Sequence, residues 1–358
     1  SVACDMINRS WLDYLRSGQF ATLRSDLTRI PPEVAERSAS LLVTRAWLNA
    51  RDGRWREAVS DLGGAESFAP DGPLPDGCPS VEASRAVMNA LYAMEGLPTV
   101  AASARRADTL IDEASPYRPI ADYGIGYASF MSGNLTAALA AFDRVLVSPD
   151  PLMRSVATGW GAVIDVLEGR VHAAKARLEE AAAIRSGQSQ LARMPSTIVA
   201  RAAIACAEGR PIEAAAELDE VSHTLGSADP TDQLEVLIWL AGAEVSVGRT
   251  KRARRWVDKA RHLIDLLGGS DWHCGRLGEI EDRMGPVVER TGRDLGLTDR
   301  EERILQLLSA THLSQREIAR ELGISFNTIK SHVKSIYVKL GATSREEASQ
   351  IARNHGLV

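Results

Sequence analysis

Cysteine, aromatic residues and long apolar runs are all scarce in this 358-residue chain. The four cysteines, Cys4, Cys78, Cys206 and Cys274, are scattered and form no CxxC pair. That spacing speaks against a disulfide framework and fits a reducing compartment, so a cytoplasmic location is expected. No run of about 18 apolar residues occurs, so no membrane-spanning helix is expected. The N-terminus lacks the basic-then-apolar pattern of a secretory leader. It opens on Ser1 rather than methionine, as expected of a processed chain or a piece of a longer one. The sequence has no GxxxxGK(S/T) phosphate loop, no GxSxG and no metal-ligand spacing. An enzyme is therefore not expected, and no catalytic residue, cofactor or metal is assigned. His262, His273 and Cys274 lie near one another but read as a solvated helix end and loop. Aromatics make up only 5% of the chain while alanine is abundant. Alanine is the best helix former and is poor in strands, so the fold class expected is all-α.

A repeat runs through most of the chain. GRWREA at 53, GLPTVA at 96, GNLTAA at 133, GRVHAA at 169, GRPIEA at 209 and GRTKRA at 248 align, and GQFATL at 18 aligns less well. The glycines are 35, 43, 37, 36, 40 and 39 residues apart, and Ala follows each of the six better ones by five positions. Each Gly closes an apolar helical pattern, such as SLLVTRAWLNARDG, where a left-handed residue ends a helix. A second helix starts at once, with Pro98 and Pro211 in the first turn that tolerates proline. The alanine one turn in lets the two helices of a hairpin approach closely. Stacked hairpins bury a continuous core that one hairpin cannot. Trp11, Trp47, Trp55, Trp160, Trp239 and Trp256 fall within these helices, where they read as core or inter-repeat packing, or as lining of a concave face. The segment FAPDGPLPDGCPS, residues 68–80, carries four prolines and reads as a loop.

The texture changes after Met284. GPVVERTGRDLG, residues 285–296, reads as a linker, which divides the chain into residues 1–284 and 297–358. Four helices are expected in the second part. Thr298 with Glu301, and Ser314 with Glu317, have the spacing of capping boxes. Gly323 ends the second helix, Ser325 or Asn327 caps the third, and Ser344 caps the fourth. The second and third helices, joined by a tight turn, have the helix-turn-helix arrangement. Ile329, Val333, Ile336 and Leu340 form one buried stripe on the third helix. Lys330, Ser331 and Lys334 then face outward near its N-terminal half, the part that enters a DNA major groove in this motif.

Charge agrees with that reading. The whole chain carries a net −5, yet no Asp or Glu occurs from Leu322 to Arg345. From Arg290 onward there are 11 Lys/Arg against 8 Asp/Glu, so the basic charge is concentrated where phosphate contact is expected.

Two resemblances add to the residue-level reading. The pattern of Gly ending a first helix and Ala five residues on resembles the tetratricopeptide repeat over roughly residues 1–284, with longer and less regular spacing. It implies a right-handed superhelix of about seven helix pairs, presenting a concave face to an effector or partner protein. LTDREERILQLLSATHLSQREIARELGISFNTIKSHVKSIYVKLGATSREEA resembles the LuxR-type helix-turn-helix domain. That likeness implies base contacts from Lys330, Ser331 and Lys334. It also implies backbone contacts from Thr328 and Lys339, joined by Ser314, Gln315 and Asn327 at the helix starts. The fourth helix corresponds to a dimerisation helix, with Ala348, Ile351 and Ala352 as its apolar stripe. A LuxR-type domain behind helical repeats resembles the MalT-like group of regulators. The expected function is sequence-specific regulation of transcription, with double-stranded DNA, RNA polymerase, an effector and a second copy of the chain as partners. The alternative is an interaction scaffold with secondary DNA binding.

Overall fold

The structure, a computed structural model, describes residues 2–17, 19–184, 194–224, 230–285, 296–310 and 313–354. Among these residues it is built from helices alone. The chain forms two compact units, Ser1–Met284 and Gly285–Val358. Residues 286–295 of the expected linker, and Gly18 of the weakest repeat copy, lie outside the described residues.

The first unit contains seven helix pairs. They are α1 (Val2–Arg16) with α2 (Phe20–Thr28) and, after a short α3 (Pro32–Ala35), α4 (Ala39–Arg51) with α5 (Trp55–Glu66). Next come α6 (Val81–Tyr92) with α7 (Leu97–Leu110), and α8 (Arg118–Met131) with α9 (Leu135–Leu146). The series closes with α10 (Pro151–Leu167) and α11 (Val171–Ile184), α12 (Pro195–Ala207) and α13 (Pro211–Thr224), and α14 (Pro230–Ser246) and α15 (Thr250–Leu267). Each first helix packs on its own partner and on the first helix of a neighbouring pair. One apolar core therefore runs the length of the unit, from Cys4 to Ile280.

The turn inside each pair follows from its glycine. Gly53, Gly133, Gly169, Gly209 and Gly248 all have φ between 70° and 81°, which an L side chain adopts only with strain. In each, the next residue's N–H reaches back to a carbonyl five residues earlier, as Arg54 does to Asn49 at 2.8 Å and Arg170 to Asp165 at 2.7 Å. This is the Schellman closure of a helix end.

The copy at Gly96 departs from the sequence alignment. There the left-handed residue that stops the helix is Ala93, at φ 48°. Glu95 and Gly96 are extra, and they delay the next helix by two residues. Measured between left-handed residues the repeat is 40, 40, 36, 40 and 39, more even than the glycines suggest. The fourth residue of every second helix is then fully buried: Leu23, Ala58, Val100, Ala138, Ala174, Ala214 and Ala253. Ala101, the residue five beyond Gly96, is only half-buried.

Residues 67–80 form a loop, as expected, but a pinned one. Asp76 accepts from Trp11 Nε1 at 2.6 Å and from the Tyr117 hydroxyl at 2.7 Å. Trp11, Trp47 and Tyr117 cluster above it with ring centroids 5.4–6.3 Å apart. Cys78 is buried beneath, and burial pushes its thiol up to about 12. Of the expected core tryptophans, Trp11, Trp47, Trp160, Trp239 and Trp256 are buried, and Trp55 packs half-buried on the core.

The last helix of this unit, α16 (Asp271–Met284), packs back on α8 and α14. Trp272 lies 4.5 Å from Phe130, ring to ring. His273 is completely buried, which corrects its reading as part of a solvated helix end. Its Nε2 is 2.9 Å from Glu235 Oε1 and its Nδ1 is 2.6 Å from Ser270 Oγ. Tyr127 donates its hydroxyl to the same Glu235 oxygen at 3.2 Å. One buried acid thus ties three helices that are distant in sequence. Among the described residues no group of His, Cys, Asp and Glu is arranged to hold a metal ion. No described helix is long and apolar enough to cross a membrane.

The second unit holds α17 (Asp299–Ala310), α18 (Gln315–Glu321), α19 (Phe326–Leu340) and α20 (Arg345–Asn354) around its own small core.

Candidate nucleic-acid interface

Local rules fix where each helix of the second unit begins. Thr298 caps α17: its hydroxyl accepts from the Glu301 N–H at 3.3 Å, and its own N–H donates to Glu301 Oε2 at 2.8 Å. Ser314 and Glu317 make the same reciprocal pair for α18. Ser325 caps α19 by accepting from Thr328 N–H at 3.1 Å. Ser344 caps α20 through Glu347 N–H at 3.1 Å.

The tight turn between α18 and α19 closes on Gly323, at φ 65°. The Ile324 N–H bonds the Ala319 carbonyl at 3.0 Å. Arg300 on α17 donates to the Leu322 carbonyl at 3.2 Å, so the turn is clamped from behind. Arg345 holds the connection between α17 and α18, donating to the carbonyls of Leu308 at 2.9 Å and Leu313 at 2.6 Å. Sequence reasoning missed both arginines. Their signal was positional only, since each sits at a helix start, where a basic residue is unfavourable for the helix dipole.

On α19, Ile329, Val333 and Ile336 are buried and turn the opposite face outward. Lys330, Ser331 and Lys334 are exposed on that face, with Asn327 and Thr328 at its leading edge. Among the described residues neither lysine has an ion-pair partner. Lys330 Nζ lies 4.9 Å above the Phe326 ring, and the Arg316 guanidinium lies 5.1 Å from the same ring. Phe326 therefore gathers cations from both helices. Arg316 is a third exposed positive group beside the turn, and it escaped the sequence reading because it belongs to α18. Ser314 is exposed and Gln315 half-buried at the start of α18, so these residues and those of α19 border one surface.

Four expected site residues have partners inside the unit itself. Ala348 and Ala352 are 1% and 0% exposed and belong to the unit's own core, and Ile351 is half-buried against it. α20 turns its small residues inward because they let it lie close on α17. The apolar stripe expected to lie open on this helix is thus largely turned into the unit's own core. Lys339 has a partner inside the domain: its Nζ is 2.7 Å from Glu301 Oε2, on a carboxylate only 5% exposed. Burial raises the Glu301 carboxyl, but Lys339 and hydrogen bonds from Ser335 and Thr298 outweigh it and bring the group down to about 2.

An exposed, acid-free helix face beside a tight helix-turn-helix defines the class of this unit, and comparison with known proteins agrees. Residues 295–352 match the model of the luxR family of bacterial regulatory proteins, so the C-terminal unit carries that family's helix-turn-helix domain. The transcriptional regulatory protein YdfI of Bacillus subtilis is 40% identical over 84 residues, 23% of this chain and 37% of that one. The putative HTH-type transcriptional regulator Mb0914c of Mycobacterium bovis is 28% identical over 280 residues, 67% of this chain and 31% of that one. MalT of Yersinia pestis, an HTH-type transcriptional regulator, is 40% identical over 68 residues, 19% of this chain and 7% of that one. The match spans at most 37% of the length of these three relatives. All three relatives carry the name of transcriptional regulators, and what this chain shares with the luxR family is the helix-turn-helix domain of its second unit.

Proposed function

We propose that this chain binds specific operator sequences through α19 and adjusts that binding to an effector held by its helical-repeat unit. The observation that carries the first half is the acid-free face of α19, on which Lys330 and Lys334 stand exposed and unpaired. Lysine donates to guanine acceptors and serine to several base edges, so Lys330, Ser331 and Lys334 are the base-reading residues. Ser314, Gln315, Asn327 and Thr328 border them and meet phosphates. Arg316 joins this set. Lys339 serves the domain first, as the partner of Glu301, and reaches phosphate only from the edge of the surface. Two copies on DNA would read two half-sites, paired through faces other than Ala348 and Ala352. RNA polymerase, an effector and a second copy are the partners this reading implies, and no catalytic role is assigned.

The test is a titration of operator and scrambled duplex at several salt concentrations. Lys330→Ala and Lys334→Ala are each expected to lose about 1–3 kcal/mol of discrimination between the two duplexes. Arg316→Ala should weaken both alike and reduce the log–log salt slope by about one. Equal losses on both duplexes for the two lysine variants would remove base reading from this face.

A further inference from the structure

We propose that the cavity where α8, α10, α12 and α14 meet is a binding site for a small monocarboxylic acid with an apolar body. The cavity measures about 100 Å³, several times the room one water occupies. Tyr92, Tyr123, Tyr127 and Trp160 form its walls together with aliphatic side chains, a lining suited to an apolar body.

Its polar end is defined by donors that lack acceptors. Three helices bring their first turns to this space: α10, α12 and α14. The first is capped by Asp150, which accepts from the N–H groups of Leu152 and Met153 at 3.0 and 3.1 Å. α14 carries Asp232 in its first turn, offsetting its own dipole. The third, α12, has neither. Its N-cap is Met194, which makes no side-chain cap, and no acid stands in its first turn. Ser196, in that turn, lines the cavity, and its buried hydroxyl has no hydrogen-bond partner. Trp160 belongs to the same lining, and its Nε1, a group that can only donate, is likewise buried and unpartnered. Uncapped N–H groups at a helix start, a free hydroxyl and a free indole N–H together ask for an acceptor that bears negative charge.

The same lining limits what that acceptor can be. Among the described residues no Lys or Arg lines the cavity, whereas Asp232 does. A phosphate dianion would lack the cations it needs and meet that carboxylate. A carboxylate carries one delocalised charge, which neutral donors and one helix end can hold. Gly159 explains how these donors come together: a Cβ there would lie 2.5 Å from the Ser196 carbonyl carbon, so only glycine lets α10 approach the start of α12.

The site deepens the effector reading, on which its regulatory meaning rests. Tyr127 walls the cavity and also donates to Glu235, which holds His273 of α16. A molecule that moves the Tyr127 ring therefore acts two hydrogen bonds away from the last helix before residue 285.

The experiment is calorimetry of the full chain with sodium benzoate and sodium butyrate, against benzylamine and inorganic phosphate. Saturable binding of at least one of the two acids at millimolar concentration is expected. Ser196→Ala and Trp160→Phe should each weaken it about tenfold, the worth of one hydrogen bond to a charged acceptor. Ser196→Ala keeps the proposal testable if the tryptophan variant folds poorly. Absence of binding by both acids, equal or tighter binding of benzylamine or phosphate, or unchanged affinity in a folded Ser196→Ala would overturn the site. Acid binding that leaves operator affinity unchanged would leave the site standing and overturn its role as sensor.

Discussion

Glu301 completes the capping box that Thr298 opens on α17 and takes the ammonium of Lys339, so one carboxylate does two structural jobs. Its carboxyl is held at about 2, below its ordinary range. A depressed carboxyl contributes stability that is fully present above the unfolded value near 4.5 and is lost as pH falls through 2. Glu317 is lowered by hydrogen bonds from Ser314 and Glu347 by those from Thr343, and both add to the same acid limb. Lys339→Met should therefore lower the stability of the second unit by about 2 kcal/mol at neutral pH, because it strands a buried carboxylate. The loss should shrink as the pH approaches 3 and Glu301 takes up a proton in the variant. Urea denaturation at the two pH values checks this. Unchanged stability together with a smaller salt slope on DNA would return Lys339 to the phosphate-contact role that its place in the sequence suggested.

At the scale of helices, the repeat turns separate backbone from packing. Gly133 sits at φ 76° with open space around it, so Gly133→Ala tests the backbone alone and should cost about 1 kcal/mol. Gly159→Ala meets the backbone of Ser196 instead and should cost several times more, as overpacking does. Thermal melts of the two variants check the order, and a reversed order would show that the α10–α12 contact yields easily. These same elements mark what the sequence could disclose. Helix type, the pairing and most turns were legible, because Gly and Ala at fixed spacing carry direct backbone and steric meaning. Ala93 was not, because nothing in an alanine announces a left-handed residue, and the nearby Gly96 drew the alignment three positions away. The buried stripe of α19 was legible for the same reason as the turns: it obeys one helix's period. The inward face of α20 was not, since Ala348 and Ala352 look alike whether they meet α17 or a second chain. His273 and Glu235 escaped as well, because their pairing depends on α16 returning to α8 and α14, a long-range contact without a local signature.

For the whole molecule, the governing fact is that two cores share no residue: one runs from Cys4 to Ile280, the other from Leu297 to Ala352. Hydrophobic burial acts only within each core, so each unit should unfold in its own transition. The second core is much the smaller, and a small core buries a smaller share of its chain and is less stable. Denaturation of the full chain should therefore show two steps, with the second unit melting first. Lys339→Met should move only the earlier step. His273→Ala, which leaves Glu235 buried beside Tyr127 without its imidazole, should move only the later one. Tryptophan fluorescence reports the first unit alone, because all seven tryptophans precede residue 285, while far-ultraviolet dichroism reports both. If either substitution shifts both steps together, the two units are energetically joined. A single cooperative unfolding unit would then have to carry any effector signal from the repeats to α19.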